Sequence, residues 1–122
     1  MHELSLVSSV VDSVIESLAS YPGARVLEVR LRVGALAAVV EDSLQFCYGL
    51  AVRDTPLEGS RLVVKVIPVT VHCVACGQDG ELESLQSFRC PHCGEPASQI
   101  LHGREMQIEA FEIEDQEEVA RP

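Results

Sequence analysis

The stretch CVACGQDGELESLQSFRCPHCG, residues 73–94, contains two Cys-x2-Cys pairs separated by 13 residues. Each two-residue gap lets a tight turn aim two sulfurs at one ion. Gly77 and Gly94 follow the pairs directly, where glycine permits a left-handed backbone conformation. This arrangement predicts a zinc ribbon with a closed, tetrahedral site of four thiolates, which leaves no open position for a substrate. The predicted ligands are Cys73, Cys76, Cys90 and Cys93.

Two other interpretations of the same cysteines stay open at this point: iron in the same cage, and a pair of redox-active dithiols. The matched pairs with their glycines favour one shared ion over separate dithiols. The 13-residue loop has too few apolar residues for a core of its own, so bound zinc is expected to supply the folding free energy. The fifth cysteine, Cys47, lies in the apolar stripe of a predicted helix and is expected to be a core residue.

The residues before the ribbon switch between helical and strand patterns. Apolar residues recur at steps of three and four over residues 4–20, which predicts an amphipathic helix. Apolar and charged residues then alternate up to Gly34, which predicts a strand with one wet face. Its predicted inner residues are Leu27, Val29, Leu31 and Val33. A second helix is predicted over about 41–53, and a β-rich run over 61–71 contains Pro68, which indicates a bend or an edge.

The last predicted strand is EMQIEAFEI, residues 105–113, whose apolar positions change phase between Ala110 and Phe111. Such a change indicates a bulge or a sheet edge. The predicted fold is therefore α+β (α/β-like): a three-stranded mixed sheet with two helices on one face and an inserted zinc-ribbon module. The predicted domains are a helix–sheet domain of residues 1–71 together with 104–115, a zinc-binding domain of 72–103, and an acidic tail of 116–122.

Charge and composition exclude several classes of function. The 122-residue chain has 19 acidic and 9 basic residues and a net charge of −10, which argues against binding to nucleic acid or to anionic membranes. No apolar run approaches 18 residues, so no transmembrane helix is expected. The first residues lack the basic region of a signal peptide, which predicts a cytoplasmic protein with reduced thiols. No nucleophile–base pair is visible, so no enzyme is expected.

The first three residues, Met1-His2-Glu3, form a candidate metal chelate. The Met1 α-amine and the His2 amide nitrogen close a five-membered ring, and the His2 amide and imidazole close a six-membered one. The Glu3 amide or carboxylate is a candidate fourth donor. Nitrogen-rich, planar donor sets suit Ni(II) and Cu(II). The triplet also has an ordinary interpretation, because Glu3 suits the first turn of a helix.

Taken together, these motifs resemble the HypA-type hydrogenase maturation factors, the HypA/HybF family. The resemblance rests on Met1-His2-Glu3 before a helix, the strand VLEVRLRVG, the two cysteine pairs, and Gly103-Arg104-Glu105 before the last strand. It covers the chain up to about residue 115. It implies a nickel metallochaperone that is not an enzyme, with Ni²⁺ as cargo at Met1, His2 and Glu3 and structural Zn²⁺ at the four cysteines.

The same resemblance implies partners: a HypB-type GTPase and the large subunit of nickel–iron hydrogenase, with urease accessory proteins for some members. The alternative function is a zinc-ribbon adaptor or regulatory protein that acts through protein–protein interactions. The acidic balance and the low aromatic content disfavour direct contact of such an adaptor with nucleic acid. The remaining histidines, His72, His92 and His102, are expected outside the zinc shell, because four cysteines already complete it.

Overall fold

The computed structural model describes residues 3–114. Met1, His2 and the predicted acidic tail of 116–122 lie outside the described residues. In chain order, the helices and strands are α1 (Glu3–Ser17), β1 (Arg25–Gly34), α2 (Glu41–Ala51), β2 (Arg61–Ile67), β3 (Thr70–His72), β4 (Asp79–Glu81), β5 (Gln99–His102) and β6 (Met106–Glu114). Short 3-10 turns at Leu18–Ser20 and Ala35–Ala37 follow α1 and β1.

Two three-stranded sheets organise these elements. The first is a mixed sheet with the strand order β2-β1-β6, and α1 packs against α2. The second has the order β4-β3-β5 with both pairs antiparallel, so that Val71 lies opposite Gly80 on one side and Ile100 on the other. The predicted fold class, two helices with a mixed three-stranded sheet and a cysteine module, is confirmed.

The helix α1 buries a wide apolar stripe, as the periodicity predicts. Its buried residues are Leu6, Val7, Val10, Val11 and Val14. Burial of each such side chain contributes about 1.5–3 kcal/mol, so this stripe accounts for much of the helix's stability. Leu4 and Ile15, two further apolar residues of α1, are exposed.

The strand β1 departs from the predicted alternation at its first residues. Leu27, predicted to face inward, is 43% exposed, whereas Val26 is buried. At this end of β1 the Val26 N–H donates to the Pro56 carbonyl at 3.0 Å, so the loop after α2 lies beside the strand. Glu28 lies on the strand face that is predicted to be exposed to solvent, but its side chain is only 7% exposed. The first residues of β1 therefore bury the side that the alternation predicts to be exposed to solvent.

The β-rich run 61–71 is two strands rather than one. β2 ends at Ile67 and β3 begins at Thr70, and the two belong to different sheets. Pro68 lies in the break, where a residue without an N–H ends strand pairing. The predicted phase change in the last strand is also present, since β6 is an edge strand and exposes Glu109 and Ala110 in succession.

The described chain divides into two compact units. One takes in the residues up to Leu31, Val39–Val64 and the residues from Ile108 onwards; the other takes in Arg32–Ala38 and Lys65–Gln107. The first contains both helices, and the second contains the four predicted zinc ligands. The domain boundaries predicted at 71/72 and 103/104 stay a prediction. Between residues 3 and 114, no helix has the length and apolar character needed to cross a membrane.

Candidate metal centre

Four cysteine sulfurs from the two Cys-x2-Cys pairs converge on one point, and all lie within 4.8 Å of one another. The Sγ–Sγ distance is 3.5 Å from Cys73 to Cys93 and 3.7 Å from Cys76 to Cys90. Four sulfurs placed about 2.3 Å from a tetrahedral zinc ion would be about 3.8 Å apart. The cluster therefore fits a structural zinc ion, whose ligands would be these four thiolates.

Each cysteine pair is held by the same type of backbone turn. The Gly77 N–H donates to the Cys73 carbonyl at 2.7 Å, and the Gly94 N–H donates to the Cys90 carbonyl at 3.0 Å. Both glycines have positive φ, +73° and +81°, as the sequence predicts. A side chain at either position would strain the backbone, so glycine preserves the turn that aims the two sulfurs.

The thiols differ sharply in acidity. Burial of the Cys90 thiol favours a higher pKa, but the N–H groups of Cys93 and His92 outweigh this effect and lower the pKa of Cys90 to about 6. The Glu95 N–H acts in the same direction on Cys93, but desolvation and the neighbouring thiols raise the pKa of Cys93 to about 12. Four thiolates this close repel one another, so a bound divalent cation is what would hold all four deprotonated.

Two histidines flank the sulfur cluster without joining it. His72 Nδ1 lies 2.6 Å from Asp79 Oδ1, and His92 Nε2 lies 3.0 Å from the Asp79 carbonyl oxygen. His72 and Asp79 are directly opposite each other in the β3–β4 pair. Sequence reasoning placed the histidines outside the shell but missed Asp79 as their common partner, because only the strand register brings it there.

His102 lies at the end of β5, away from the cysteines in sequence. Its Nδ1 is 2.9 Å from Glu105 Oε2, and the Gly103 N–H donates to the other carboxylate oxygen of Glu105 at 2.6 Å. The Gly103 N–H is the largest of the effects that lower the pKa of Glu105, ahead of the contact with His102. These contacts fix the turn between β5 and β6.

Of the three predicted nickel ligands, the structure describes only Glu3, which begins α1 and is partly exposed. Met1 and His2 lie outside the described residues, so the chelate stays a prediction. Cys47, expected in the core, is only half-buried on α2. Leu44 and Tyr48 take the buried positions of that helix, which leaves Cys47 at the margin of the stripe.

Residues 1–113 match a protein-family model described as HypA, a metallochaperone of hydrogenase/urease nickel incorporation. The chain belongs to the HypA family. The hydrogenase maturation factor HypA of Chloroflexus aggregans is 42% identical over 112 residues, which cover 92% of this chain and 98% of that protein. HybF of Klebsiella pneumoniae, also a hydrogenase maturation factor, is 40% identical over 114 residues, 93% of this chain and all of that protein.

Solved HypA structures share the fold. The solution structure of the Ni metallochaperone HypA from Helicobacter pylori superposes with a TM-score of 0.62 at 22% identity, covering 93% of this chain and 97% of the other. A second solution structure of a HypA protein has a TM-score of 0.69 at 20% identity, covering 95% and 98%. Members of the HypA family are nickel-incorporation metallochaperones that act with the hydrogenase maturation machinery, and this function is that of a carrier rather than a catalyst.

Proposed function

We propose that this HypA-family chain binds Ni²⁺ as cargo at Met1, His2 and Glu3 and delivers it for the maturation of nickel–iron hydrogenase. The observation that carries the proposal is the family match, which begins at residue 1 and so includes the whole triplet. We further propose that Cys73, Cys76, Cys90 and Cys93 hold structural zinc and take no part in carrying nickel.

The chemistry of the two sites supports this division of labour. Four thiolates fill the tetrahedral shell of zinc, so the cysteine cluster offers no open position to a second ion. A chelate built from the terminal amine, the His2 amide and the imidazole ends at the first turn of α1, where Glu3 is partly exposed. Such a chelate releases its metal when the terminal residues move, without unfolding the core. A carrier needs this combination of tight binding and accessible release.

For the receiving partners, we propose a HypB-type GTPase and the large subunit of nickel–iron hydrogenase. The family description also includes urease nickel incorporation, so urease accessory proteins belong to the same proposal. We place the chain in the cytoplasm, where reduced thiols remain available as zinc ligands.

The test is a nickel titration of the untagged chain by calorimetry, beside two variants. One variant is His2→Ala, which removes the imidazole. The other has two residues added before Met1, which removes the terminal α-amine from the chelate. His102→Ala is the matched control, because His102 lies at the end of β5 and contacts Glu105. We expect both N-terminal variants to lose the tight site while the control keeps it, with one zinc per chain in all four proteins.

The same titration separates this function from the alternative one. A zinc-ribbon adaptor or regulatory protein has no need of nickel, so none of the four proteins would show a specific nickel site. Undiminished nickel affinity in both N-terminal variants would overturn the assignment of Met1, His2 and Glu3. Loss of zinc from His2→Ala would overturn the separation of the two sites.

A further inference from the structure

A groove of about 550 Å³ lies between the C-terminal half of α1 and the strand β6. All of its lining residues belong to the compact unit that contains the two helices. The helix side of the groove is lined by Ser13, Val14, Ser17 and Tyr21, and the strand side by Ile108, Glu109, Ala110, Phe111 and Ile113.

One wall of this groove is an open sheet edge. β6 is the outermost strand in the order β2-β1-β6, and within residues 3–114 no further strand pairs with its outer side. An edge strand presents a row of backbone N–H and C=O groups that can pair with an added strand. The lining residues of β6 run from Ile108 to Ile113, which at about 3.3 Å per residue is a length of roughly 17 Å. This length suits an extended segment of about six residues.

The strand side of the groove is mainly apolar, and on the helix side Val14 and Tyr21 lie beside the small hydroxyls Ser13 and Ser17. Ile108, Phe111 and Ile113 are only partly buried, and Tyr21 is 52% exposed although it is aromatic. Burial of such side chains under a bound segment removes apolar surface from water, which favours binding. The groove therefore suits apolar side chains that point toward α1 from alternate positions of an added strand.

The rim of the groove carries negative charge. Glu109 lines the groove, and Glu112 and Glu114 are exposed on the same strand. On the helix side, Asp12 and Glu16 are exposed next to Ser13 and Ser17. No lysine or arginine is among the lining residues. The pKa of Arg30 on β1 is raised first by its hydrogen bond to Glu28 and, to a smaller extent, by the charges of Glu109 and Glu112. A segment with lysine or arginine side chains complements this rim.

The same charges disfavour the other possible occupants. Pairing of β6 with β6 of a second copy would bring three glutamates from each strand, Glu109, Glu112 and Glu114, into one two-stranded ribbon, where like charges repel. The residues that follow β6 in the sequence include Asp115, Glu117 and Glu118. The chain's own C-terminal segment is therefore negatively charged and does not complement the carboxylates around the groove.

We propose that this groove is a docking site for an extended, basic segment of a partner protein, which adds to the edge of β6 as a further strand. Its apolar side chains occupy the groove between β6 and α1, and its lysine or arginine side chains face the carboxylates of the rim. The proposal does not depend on the nickel chelate, since no groove residue is among the predicted metal ligands.

The experiment uses the zinc-loaded full chain, ¹⁵N-labelled, and the probe peptide acetyl-Lys-Val-Lys-Val-Lys-Val-Lys-amide. We expect saturable amide shift changes centred on residues 108–113. Two N-methylated versions of the peptide provide the decisive comparison, each methylated at one of the two sets of alternate residues. In strand addition, only one set of N–H groups points toward β6, so one version should lose binding and the other should keep it.

Matched variants test the groove and its charge. Ser13→Trp fills the groove and should weaken peptide binding by at least about tenfold, whereas Ser9→Trp, at an exposed position of α1 outside the groove, should leave it unchanged. Glu109→Lys should also weaken binding, and Glu16→Lys, at an exposed position that does not line the groove, should weaken it less. A peptide with glutamate in place of lysine should not bind.

Several outcomes would overturn the proposal. Equal binding of the two N-methylated peptides would exclude strand addition, and equal binding of the glutamate peptide would exclude a basic partner. A dimer of the free chain that Ser13→Trp dissociates would assign the groove to a second copy. Shift changes at residues 108–113 on addition of a synthetic peptide of residues 115–122 would assign it to the chain's own C-terminal segment.

Discussion

A Cβ atom added to Gly34 would lie 2.0 Å from the carbonyl oxygen of Gly103. Two hydrogen bonds hold this approach: the Gly34 N–H donates to the Glu105 carbonyl at 2.7 Å, and the Leu36 N–H donates to the Gly103 carbonyl at 2.9 Å. Gly34 has φ −68° and ψ 145°, which any residue adopts. The close contact, rather than the backbone conformation, therefore requires glycine at the end of β1.

The first prediction follows from this contact. Gly34→Ala should lower the free energy of unfolding by about 1–3 kcal/mol, because the methyl group must displace backbone atoms. Gly49→Ala is the control, since a Cβ at Gly49 meets nothing within 4 Å and alanine favours the helix α2. That variant should be more stable by about 0.5–1 kcal/mol. Urea unfolding of zinc-loaded protein measures both, and equal effects of the two substitutions would contradict the close approach.

The second prediction concerns Glu28, which is buried between Arg30 and Arg61. Its carboxylate accepts hydrogen bonds from Arg30 Nε at 2.6 Å and Arg61 Nη2 at 3.0 Å. The Arg30 hydrogen bond is the main cause that lowers the pKa of Glu28. A lowered carboxyl pKa adds stability above the unfolded value of about 4.3, and this stability is lost as the pH falls through the folded value.

Glu28→Gln should therefore be less stable than the unsubstituted chain at pH 7 and should lose less stability between pH 5 and pH 3. Urea unfolding across this pH range measures the difference. Glu16→Gln is the control, because Glu16 is exposed on α1. A parallel pH dependence for the unsubstituted chain and Glu28→Gln would show that the two arginines do not stabilise the ionised carboxylate.

The third prediction is that zinc and the cysteine module fold together. Cys93→Ser should lose zinc, measured by elemental analysis, because it removes one of four sulfurs that lie within 4.8 Å of one another. Cys47→Ser should retain it, since Cys47 lies on α2 and outside the cluster. Chelation of zinc from the unsubstituted chain should raise amide exchange over residues 72–103 and leave α1 and α2 protected. If amide exchange rose in α1 and α2 together with residues 72–103, the two parts would not fold separately.

The fourth prediction concerns the pH dependence of nickel binding and rests on the proposed function. The α-amine and the imidazole have ordinary pKa values of about 7.7–8.0 and 6.5, and each must lose its proton to bind the metal. Nickel affinity should therefore rise between pH 6 and pH 8, by about tenfold per pH unit for each proton displaced. Calorimetry in buffers of different ionisation enthalpy counts the released protons. An affinity that does not change with pH would rule out both nitrogen donors.

Sequence reasoning succeeded where the pattern is local. The buried stripe of α1 follows from a repeat of three and four residues, and the positive φ of Gly77 and Gly94 follows from their place after each cysteine pair. It failed where distant residues decide burial. Leu27 is exposed although the alternation in β1 predicts that it faces inward. The run 61–71 breaks at Pro68, as that residue indicates, but the run does not specify that its two strands join different sheets.

The sequence by itself determined the family and the composition of the cysteine cluster, because two-residue gaps and their glycines constrain the backbone within a few residues. Only the tertiary structure decided that Glu28 is buried under Arg61, which lies 33 residues away. It also decided that Gly34 meets Gly103 and that, among residues 3–114, no strand pairs with the outer edge of β6 beside α1. These features arise from contacts between segments far apart in the chain, and no local pattern encodes which segments meet.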